Sequence, residues 1–227
     1  MERNKVYMTL IQKEVSEFVF ELSSRNPIPG GGGASALAGA LGASLGGMVA
    51  NLTIGKPNYA DEEDEMKRLK VATYRVQKEL LDLIQKDADA FGPLAGSYRM
   101  PAETEEERAS KARVMEASFK EACLVPLSMM KLCAEAITLL ERLAEIGNRL
   151  ALSDAACGAV LSAAAMRSAW LNVVVNTVSI TDDSFASRVN DEGEALMREY
   201  LPRAEQIFEN IEQTYRRDDV RPARDIE

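Results

Sequence analysis

A small number of polar side chains stand inside otherwise apolar, helix-like stretches of this sequence, and they are the residues that could do chemistry. Burying such a group without a partner costs about 1–3 kcal/mol, so each predicts either an internal hydrogen bond or a ligand. The chain contains no histidine. Proton transfer therefore falls to Asp, Glu, Lys, Tyr, Cys or water, and a histidine-ligated metal is excluded. The polar candidates are Asn51, Thr53, Asp87, Asn148, Ser153, Asp154, Arg167, Asn172 and Asn176.

Two asparagines, Asn172 and Asn176, are four residues apart and so share one face of a helix. They predict either a pair of amides presented to a planar heterocycle, or side chains that bond to the backbone or to each other as part of the packing. Asp87 and Asp89 are two residues apart and point to different helix faces, so at most one of them faces the core. We expect Asp89 to be the solvated one.

Two charged residues lie in or beside the second apolar stretch, and each has two interpretations. Asp154 is either a simple helix-start charge, favoured by the helix dipole, or part of a site. Arg167 is the only charge between residues 155 and 181. Because an unpaired interior arginine is too costly, Arg167 predicts either a clamp for a ligand carboxylate or the partner of a buried acid.

A run of four glycines, Gly30 to Gly33, follows Pro27 and Pro29 and precedes a long segment rich in Ala, Leu and Gly. This pattern predicts a loop that enters a helix, whose free backbone N–H groups could hold an anion or a carbonyl oxygen. It does not match a dinucleotide-binding loop, because residues 15–22 before it have the pattern of a helix and not of a strand.

The elements that must position these groups are helices, and the two least charged are expected to be central. In the first, bulky residues fall on one face at steps of three and four, while Gly and Ala occupy most of the rest. Glycine inside a helix costs about 0.5–1 kcal/mol, so several of them require close helix contact and predict a helix packed on all sides. Residues 155–181 form a second helix of this kind. The bulky residues of the first are Leu37, Leu41, Leu45, Met48 and Leu52.

The whole chain predicts an all-α, multi-helix up-and-down bundle with these two small-residue helices buried inside it. A membrane span is disfavoured, because the apolar residues are mostly Ala and Gly without an aromatic belt. Thr104 and Glu107 form a capping-box pattern, Gly92-Pro93 ends the helix before it, and Ser153 begins a helix as N-cap. The other helices are expected at about 4–23, 61–91, 104–146 and 184–216.

Length and composition predict one domain over residues 1–216, followed by a charged, disordered tail at 217–227. The net charge of −9 argues against nonspecific binding to nucleic acid or to an anionic membrane. Three cysteines without C-x-x-C spacing predict reduced core thiols. Since the first residues do not form a signal peptide, we expect a cytoplasmic protein.

Three ordered segments make the sequence recognisable. PGGGGASALAGALGASLGGMVANLT is followed by DADAF and then by SDAACGAVLSAAAMRSAWLNVVVNT. In this order they resemble the cyclodeaminase/cyclohydrolase family, which comprises the cyclodeaminase part of formiminotransferase-cyclodeaminase and the stand-alone methenyltetrahydrofolate cyclohydrolases. The resemblance runs from about Val15 to Ala186.

The resemblance implies an all-α homodimer with a tetrahydrofolate site near the subunit interface, and neither a metal nor a cofactor beyond that substrate. Asp87, in the family's acid-x-x-Ala-Phe pattern, is the implied acid/base. Where the family often has Leu-Pro-Lys, this chain reads Arg99-Met100-Pro101-Ala102, so that lysine has no counterpart at Ala102. Arg167 or a lysine would meet the glutamate tail. The other residues that would line the site are Gly30, Gly31, Gly32, Gly33, Ser35, Asn51, Asn148, Ser153, Asp154, Asn172 and Asn176.

The activity implied by the resemblance is hydrolysis of methenyltetrahydrofolate to formyltetrahydrofolate, which we favour because no formiminotransferase half accompanies the sequence. One alternative is formiminotetrahydrofolate cyclodeaminase, which releases ammonia. Another is a non-catalytic helical bundle that binds folate. The implied metabolic partner is a separate formiminotransferase or a formate–tetrahydrofolate ligase.

Overall fold

The computed structural model of this chain describes residues 9–217, and every regular element in that range is helical. The predicted all-α bundle is confirmed. The predicted disordered tail lies outside the described residues, apart from Arg217. Short 3-10 helices lie at Leu10–Gln12, Pro57–Glu62 and Arg149–Ala151. The α-helices are α1 (Val15–Leu22), α2 (Gly31–Thr53), α3 (Glu63–Tyr98), α4 (Glu105–Ile146), α5 (Leu152–Thr177) and α6 (Asp183–Arg216).

The helix α2 lies between α3 and α5, while α4 packs against all three and α6 packs against α4 and α5. α2 and α5 run antiparallel. Gly31 at the start of α2 lies next to Asn172 near the end of α5, and Gly42 in the middle of α2 lies next to Ser162. Each end of this helix pair therefore combines the start of one helix with the end of the other.

Gly42 and Gly158 allow α2 and α5 to approach each other through their backbones. A Cβ on Gly42 would lie 2.8 Å from the Gly158 carbonyl oxygen, and a Cβ on Gly158 would lie 2.9 Å from the Gly42 carbonyl oxygen. Real Cβ atoms do not come so close to a carbonyl oxygen, so both positions require glycine. The predicted close contact between the two small-residue helices is confirmed.

We expect Gly42→Ala to lower the free energy of unfolding by about 1–3 kcal/mol, because the added methyl group must push α2 and α5 apart. Gly47→Ala is the matched control on the same helix, since its Cβ would meet Thr73 Oγ1 at an ordinary 3.4 Å. The control should keep its stability or gain up to about 1 kcal/mol from the better helix propensity of alanine. Urea unfolding measures both variants, and equal stabilities would contradict the close contact.

The bulky face of α2 is not buried, which corrects the prediction that this helix is packed on all sides. Leu41, Met48 and Leu52 are 51%, 47% and 41% exposed. The glycines and alanines face inward instead, because the neighbouring helices come so close that only small residues fit between them. α3 and α5 also expose apolar side chains. We call the exposed apolar surface of α2 and α3 the front face and define it by Leu41, Met48, Leu52, Val71 and Tyr74.

Two helix boundaries differ from the prediction. The first predicted helix, 4–23, is wrong within the described residues, because extended backbone at Lys13 separates a 3-10 turn from the short α1. The predicted break at Pro93 is also wrong, because α3 continues through it. Leu94 and Ser97 are buried and anchor the last turns of α3, which outweighs the one hydrogen bond that proline removes.

The two predicted N-caps have different outcomes. The capping box of α4 is confirmed, since Thr104 Oγ1 accepts a hydrogen bond from the Glu107 N–H at 3.2 Å. Ser153 is not an N-cap, because α5 has already begun one residue earlier. The 3-10 helix Arg149–Ala151, with Asn148 as its N-cap, leads directly into α5, so α5 begins without a side-chain cap of its own.

The three cysteines do not share one environment. Cys123 and Cys133 are buried, as predicted, and burial raises the pKa of their thiols to about 11 and about 12. Cys157 is exposed, so the prediction of a core thiol is wrong for this residue.

Three helices, α2, α4 and α5, are long and apolar enough to cross a membrane when only length and composition are considered. In the bundle, 56% of the most apolar window of α2 and of α4, and 39% of that of α5, is buried. Much of this apolar character is therefore used in helix packing. The absence of a membrane partner stays a prediction.

Candidate active site

A cavity of 210 Å³ opens at the end of the bundle where α2 begins and α5 ends. The loop before α2, one face of α3, the middle of α4 and the last turns of α5 surround it. The fold thus brings together three polar segments that are far apart in the sequence. The predicted site residues that line this cavity are Gly30, Gly31, Gly32, Asp87, Asn172 and Asn176.

Among the described residues that line the cavity, Asp87 alone carries a titratable side chain. Its carboxyl group lies directly against the backbone of α2: a Cβ on Gly32 would overlap it, with Oδ2 only 2.5 Å away. Burial raises the pKa of Asp87 above the ordinary aspartate value, and the backbone N–H of Gly33 partly opposes this shift. A cavity carboxyl group with a raised pKa is suited to take up and return a proton.

Two other polar side chains near the cavity make local hydrogen bonds. Asp89 is exposed, as predicted, and accepts a hydrogen bond from Gln85 Nε2 at 2.8 Å. Ser35, an implied substrate-binding residue, is buried and donates to the Gly31 carbonyl oxygen at 2.7 Å. The hydroxyl group of Ser35 is therefore satisfied within α2.

The glycine run forms the first turn of α2 and not a loop, which corrects the sequence prediction. Gly30 is the N-cap, Gly31 to Gly33 are helical, and the Ala34 N–H makes the first helical hydrogen bond to the Gly30 carbonyl oxygen. The N–H groups before Ala34 have no partner in the helix ladder. Those of the cavity-lining glycines are suited to meet a carbonyl or negatively charged oxygen, since the helix dipole adds to their attraction.

Asn172 and Asn176 use their amide nitrogens within the protein. Asn172 Nδ2 donates to the Ser168 carbonyl oxygen at 2.9 Å. Asn176 Nδ2 donates to the carbonyl oxygens of Asn172 at 2.7 Å and Ala122 at 3.3 Å. The amide nitrogens of both asparagines therefore bond to the backbone, as the packing alternative predicted. Between residues 9 and 217 no protein donor reaches either amide oxygen, and both oxygens remain acceptors for a heterocycle.

The other implied binding residues lie at the opposite end of α2 and α5. Gly31 and Asn51 are 20 residues apart in one helix, about 30 Å at 1.5 Å per residue. Asn51 is exposed and lines an apolar groove of 560 Å³ between α2 and α3. Asn148, Ser153 and Asp154 stand at the same end, where the chain enters α5. One copy of the chain does not bring these four residues to the cavity.

Two of these distant residues have evident local functions. Asn148 joins the end of α2 to the turn before α5: its N–H donates to Thr53 Oγ1 at 2.9 Å, and its Nδ2 donates to the Leu52 carbonyl oxygen at 3.0 Å. Asp154 lies in the first turn of α5, where the helix dipole favours a carboxylate. The helix-start interpretation of Asp154 fits this position.

Arg167 is exposed, so the premise that it is an interior arginine is wrong. It lines a separate groove of 210 Å³ between α5 and α6, together with Leu201 and Glu205. Val175, at the rim of the cavity, lies eight residues further along α5, about 12 Å away along the helix axis. Arg167 does not enter the cavity.

Sequence reasoning missed the apolar walls of the cavity, because their pattern is that of ordinary core residues. The one available signal was Phe91, the last residue of the DADAF motif. Within residues 9–217, no group of three or more His, Cys, Asp or Glu side chains is placed to hold a metal ion. The walls are formed by Pro27, Ile28, Ala90, Phe91, Leu94, Ala122 and Val175.

Known proteins resemble this chain over most of its length. A family model described as formiminotransferase-cyclodeaminase matches residues 14–195. The methenyltetrahydrofolate cyclohydrolase of Methylorubrum extorquens is 39% identical over 197 residues, which are 87% of this chain and 95% of that protein. The formimidoyltransferase-cyclodeaminase of Rattus norvegicus is 29% identical over 204 residues, which are 90% of this chain but 38% of the rat protein.

The fold also matches a solved structure. The crystal structure of formiminotetrahydrofolate cyclodeaminase from Thermotoga maritima has a TM-score of 0.76 to this chain at 31% sequence identity. The match covers 88% of this chain and 98% of the Thermotoga chain. The cavity and all predicted site residues lie within the range that the family model covers.

Proposed function

Because this chain belongs to the formiminotransferase-cyclodeaminase family, we propose that it is a tetrahydrofolate one-carbon enzyme that hydrolyses methenyltetrahydrofolate to formyltetrahydrofolate. The similarity to the Methylorubrum cyclohydrolase supports this choice, since it extends over 95% of that protein. Only 38% of the rat formimidoyltransferase-cyclodeaminase corresponds to this chain. The observation that carries the proposal is the cavity in which Asp87, with its raised pKa, faces the first turn of α2.

The reaction needs little more than proton transfer. Water adds to the cationic methenyl carbon that bridges two folate nitrogens, one carbon–nitrogen bond of the tetrahedral adduct breaks, and a formyl group remains on the other nitrogen. The substrate itself is the electrophile, so it requires no cofactor to activate it. Asp87 accepts a proton from the attacking water and returns it to the leaving nitrogen.

The surrounding groups support binding of the pterin end of the substrate. The free amide oxygens of Asn172 and Asn176 are placed to accept hydrogen bonds from pterin N–H groups. The N–H groups of Gly31 and Gly32 are placed for the oxygen that water contributes to the adduct. Arg167 lies outside the cavity but on the same helix, where it could meet the glutamate tail of a long substrate.

The alternative reaction is deamination of formiminotetrahydrofolate. Here a folate nitrogen attacks the formimino carbon, the new carbon–nitrogen bond closes the ring, and ammonia leaves from the tetrahedral adduct. The fold similarity to the Thermotoga cyclodeaminase, at 31% identity, favours it as the second candidate. Asp87 would take the proton from the attacking folate nitrogen and return it to the leaving ammonia, and the geometry does not separate the two activities.

The test is the absorbance of methenyltetrahydrofolate with and without purified protein, at mildly acidic pH where spontaneous hydrolysis is slow. We expect the protein to accelerate the loss of the methenyl chromophore. A parallel assay measures ammonia released from formiminotetrahydrofolate, and activity there alone would select the alternative. A chain that merely binds folate would accelerate neither reaction. A folate ligand at about a hundred times its dissociation constant should still raise the free energy of unfolding of such a chain by about 2.7 kcal/mol.

We also propose an oligomeric state, a source of the substrate and a cellular location for this protein. A homodimer is supported by the exposed apolar side chains of the front face, since Met48, Leu52, Val71 and Tyr74 line one groove and monomeric proteins rarely leave a large apolar patch uncovered. The substrate of this enzyme would come from a separate enzyme that attaches the one-carbon unit to tetrahydrofolate. That enzyme would be a formiminotransferase or a formate–tetrahydrofolate ligase. We place this reaction in the cytoplasm.

A further inference from the structure

We propose that Pro126, a buried proline inside α4, is a positioning residue that fixes the Asn176 side chain of α5 as a hydrogen-bond acceptor for the substrate. This role of Pro126 rests on the proposed function, because a folate is the ligand that would contact Asn176. Pro126 does not itself line the cavity and acts only through the carbonyl group of Ala122, which does.

Pro126 releases one carbonyl group from the hydrogen-bond ladder of α4. In an α-helix the N–H of each residue donates to the carbonyl oxygen four residues earlier, and proline has no N–H. The Ala122 carbonyl oxygen therefore lacks its usual donor, although α4 continues through this position. The proline ring also crowds that carbonyl group, which favours a tilt away from the helix axis. A free acceptor thus stands at the wall of the cavity.

Asn176 of α5 supplies the missing donor. Its Nδ2 donates to the Ala122 carbonyl oxygen at 3.3 Å and to the Asn172 carbonyl oxygen at 2.7 Å. An asparagine amide has two N–H donors, and these two bonds use both of them. Turning the amide over would set its oxygen against two carbonyl oxygens, which have no hydrogen to share. Asn176 Oδ1 is therefore left for the cavity, where it acts as an acceptor only.

The neighbouring Asn172 is not held in this way. Its Nδ2 donates to the Ser168 carbonyl oxygen at 2.9 Å and, within residues 9–217, bonds to no other helix. One N–H of Asn172 stays free, so this amide can turn to suit a ligand. The cavity consequently offers one fixed acceptor and one adaptable amide. A ligand must bring an N–H group to Asn176, which therefore determines the edge of the pterin that enters there.

The other helix-interior prolines differ from Pro126. Pro93 in α3 and Pro202 in α6 are exposed, whereas Pro126 is buried. Of the three carbonyl groups that these prolines release in the described part of the chain, only that of Ala122 accepts a hydrogen bond from another helix. Proline is the least favourable residue inside a helix, and the bond from α5 offsets part of that cost.

Two substitutions separate the effect of the missing N–H group from that of side-chain volume. Pro126→Ala and Pro126→Val both restore the N–H donor to α4, and valine has a side chain close to proline in size. Both should weaken binding of formyltetrahydrofolate by about five- to tenfold in isothermal titration calorimetry, the value of about one hydrogen bond. Weaker binding in the alanine variant alone would assign the effect to packing and overturn the proposal.

The kinetics of the same variants should show a loss of binding and not of chemistry. KM for methenyltetrahydrofolate should rise by the same factor, while kcat stays within about twofold of the wild type, because the contact is made before and during the reaction alike. Asp87 keeps its position in both variants. A fall in kcat with an unchanged KM would show that Pro126 does not act on substrate binding.

Pro93→Ala is the matched control. The same change is made in a helix that borders the same cavity, but no side chain of the described residues bonds to the carbonyl group that Pro93 releases. The dissociation constant and KM should stay those of the wild type. A loss equal to that of Pro126→Ala would show that removal of any nearby helix proline has this effect.

A double-mutant cycle tests whether Pro126 acts through Asn176. Asn176→Ala alone should weaken folate binding by about tenfold through the loss of one hydrogen bond. Adding Pro126→Ala to this variant should have no further effect, because the side chain that Pro126 positions is gone. Two losses that multiply, or full affinity in Asn176→Ala, would contradict the proposal.

A measurement without ligand distinguishes a failure of this proposal from a failure of the proposed function. Nuclear magnetic resonance should show both side-chain amide protons of Asn176 protected from exchange with solvent in the wild type, and only one in each Pro126 variant. Their signals are identified by their loss in Asn176→Ala, and Pro93→Ala should leave them unchanged. A wild type that neither binds nor converts folate would refute the proposed function, while these signals still decide what Pro126 does. Two protected protons in the Pro126 variants would overturn its positioning role.

Discussion

Asp87→Asn is expected to lower turnover of the methenyl substrate by about 10²–10⁴-fold, the contribution of one general acid/base group. The amide has the size of the carboxyl group but cannot accept the proton of the attacking water. Asp87 is the one titratable side chain among the described residues of the cavity, so no neighbour there can replace it. Turnover is measured by the loss of methenyl absorbance at saturating substrate, and folate binding should persist.

The same variant should be more stable than the wild type at neutral pH. Burial raises the pKa of Asp87, so the folded protein binds this proton more tightly than the unfolded chain does. The charged form therefore destabilises the fold at neutral pH, and this cost disappears as the pH falls through the raised pKa toward the ordinary value of about 3.9. We expect the Tm of the variant to exceed that of the wild type at pH 7 and the difference to shrink as the pH is lowered toward about 4.

Asp89→Asn is the matched control for the turnover measurement. Asp89 is exposed and bonds only to Gln85 among the described residues, so its replacement should leave turnover unchanged. Near wild-type turnover in a folded Asp87→Asn protein would exclude Asp87 as the acid/base. An equal loss in Asp89→Asn would show that the effect is one of general surface charge.

Gly32→Ala is expected to reduce turnover by about 10²-fold or more, although glycine itself takes no part in proton transfer. Its methyl group would occupy the space of the Asp87 carboxyl group, with Oδ2 2.5 Å from the new Cβ. The carboxyl group must then leave its position against the first turn of α2, where it faces the cavity. Gly96→Ala is the control in a helix, because a Cβ there meets nothing within 4 Å, and it should keep full activity.

A double-mutant cycle separates this overlap from a general effect on α2. Gly32→Ala should destabilise the wild type by about 1–3 kcal/mol, the usual cost of forcing an extra methyl group into a packed site. In an Asp87→Ala background the overlap is gone, and the same change should be neutral or stabilising by up to about 1 kcal/mol. Additive effects, measured by urea unfolding, would mean that Gly32 and Asp87 do not touch.

Helix content and the contact between the two small-residue helices could be predicted from the sequence because both depend on local composition. Gly42 and Gly158 have no side chain that could separate the two backbones, whatever surrounds them. Helix ends were less predictable. Pro93 removes one hydrogen bond, but the burial of Leu94 and Ser97 holds the last turns of α3 in place, and that burial depends on helices distant in the sequence.

The sequence by itself determined which residues share a helix face, and therefore that Asn172 and Asn176 lie side by side and that Leu41, Met48 and Leu52 form one stripe. Only the tertiary structure decided which face turns inward. Periodicity carries no information about the neighbours of a helix, and α2 buries its small residues because α3, α4 and α5 crowd that side. The same packing placed Gly31 and Asn51 at opposite ends of one rigid helix, so the fold, and not the motif, separated the predicted site residues into two groups.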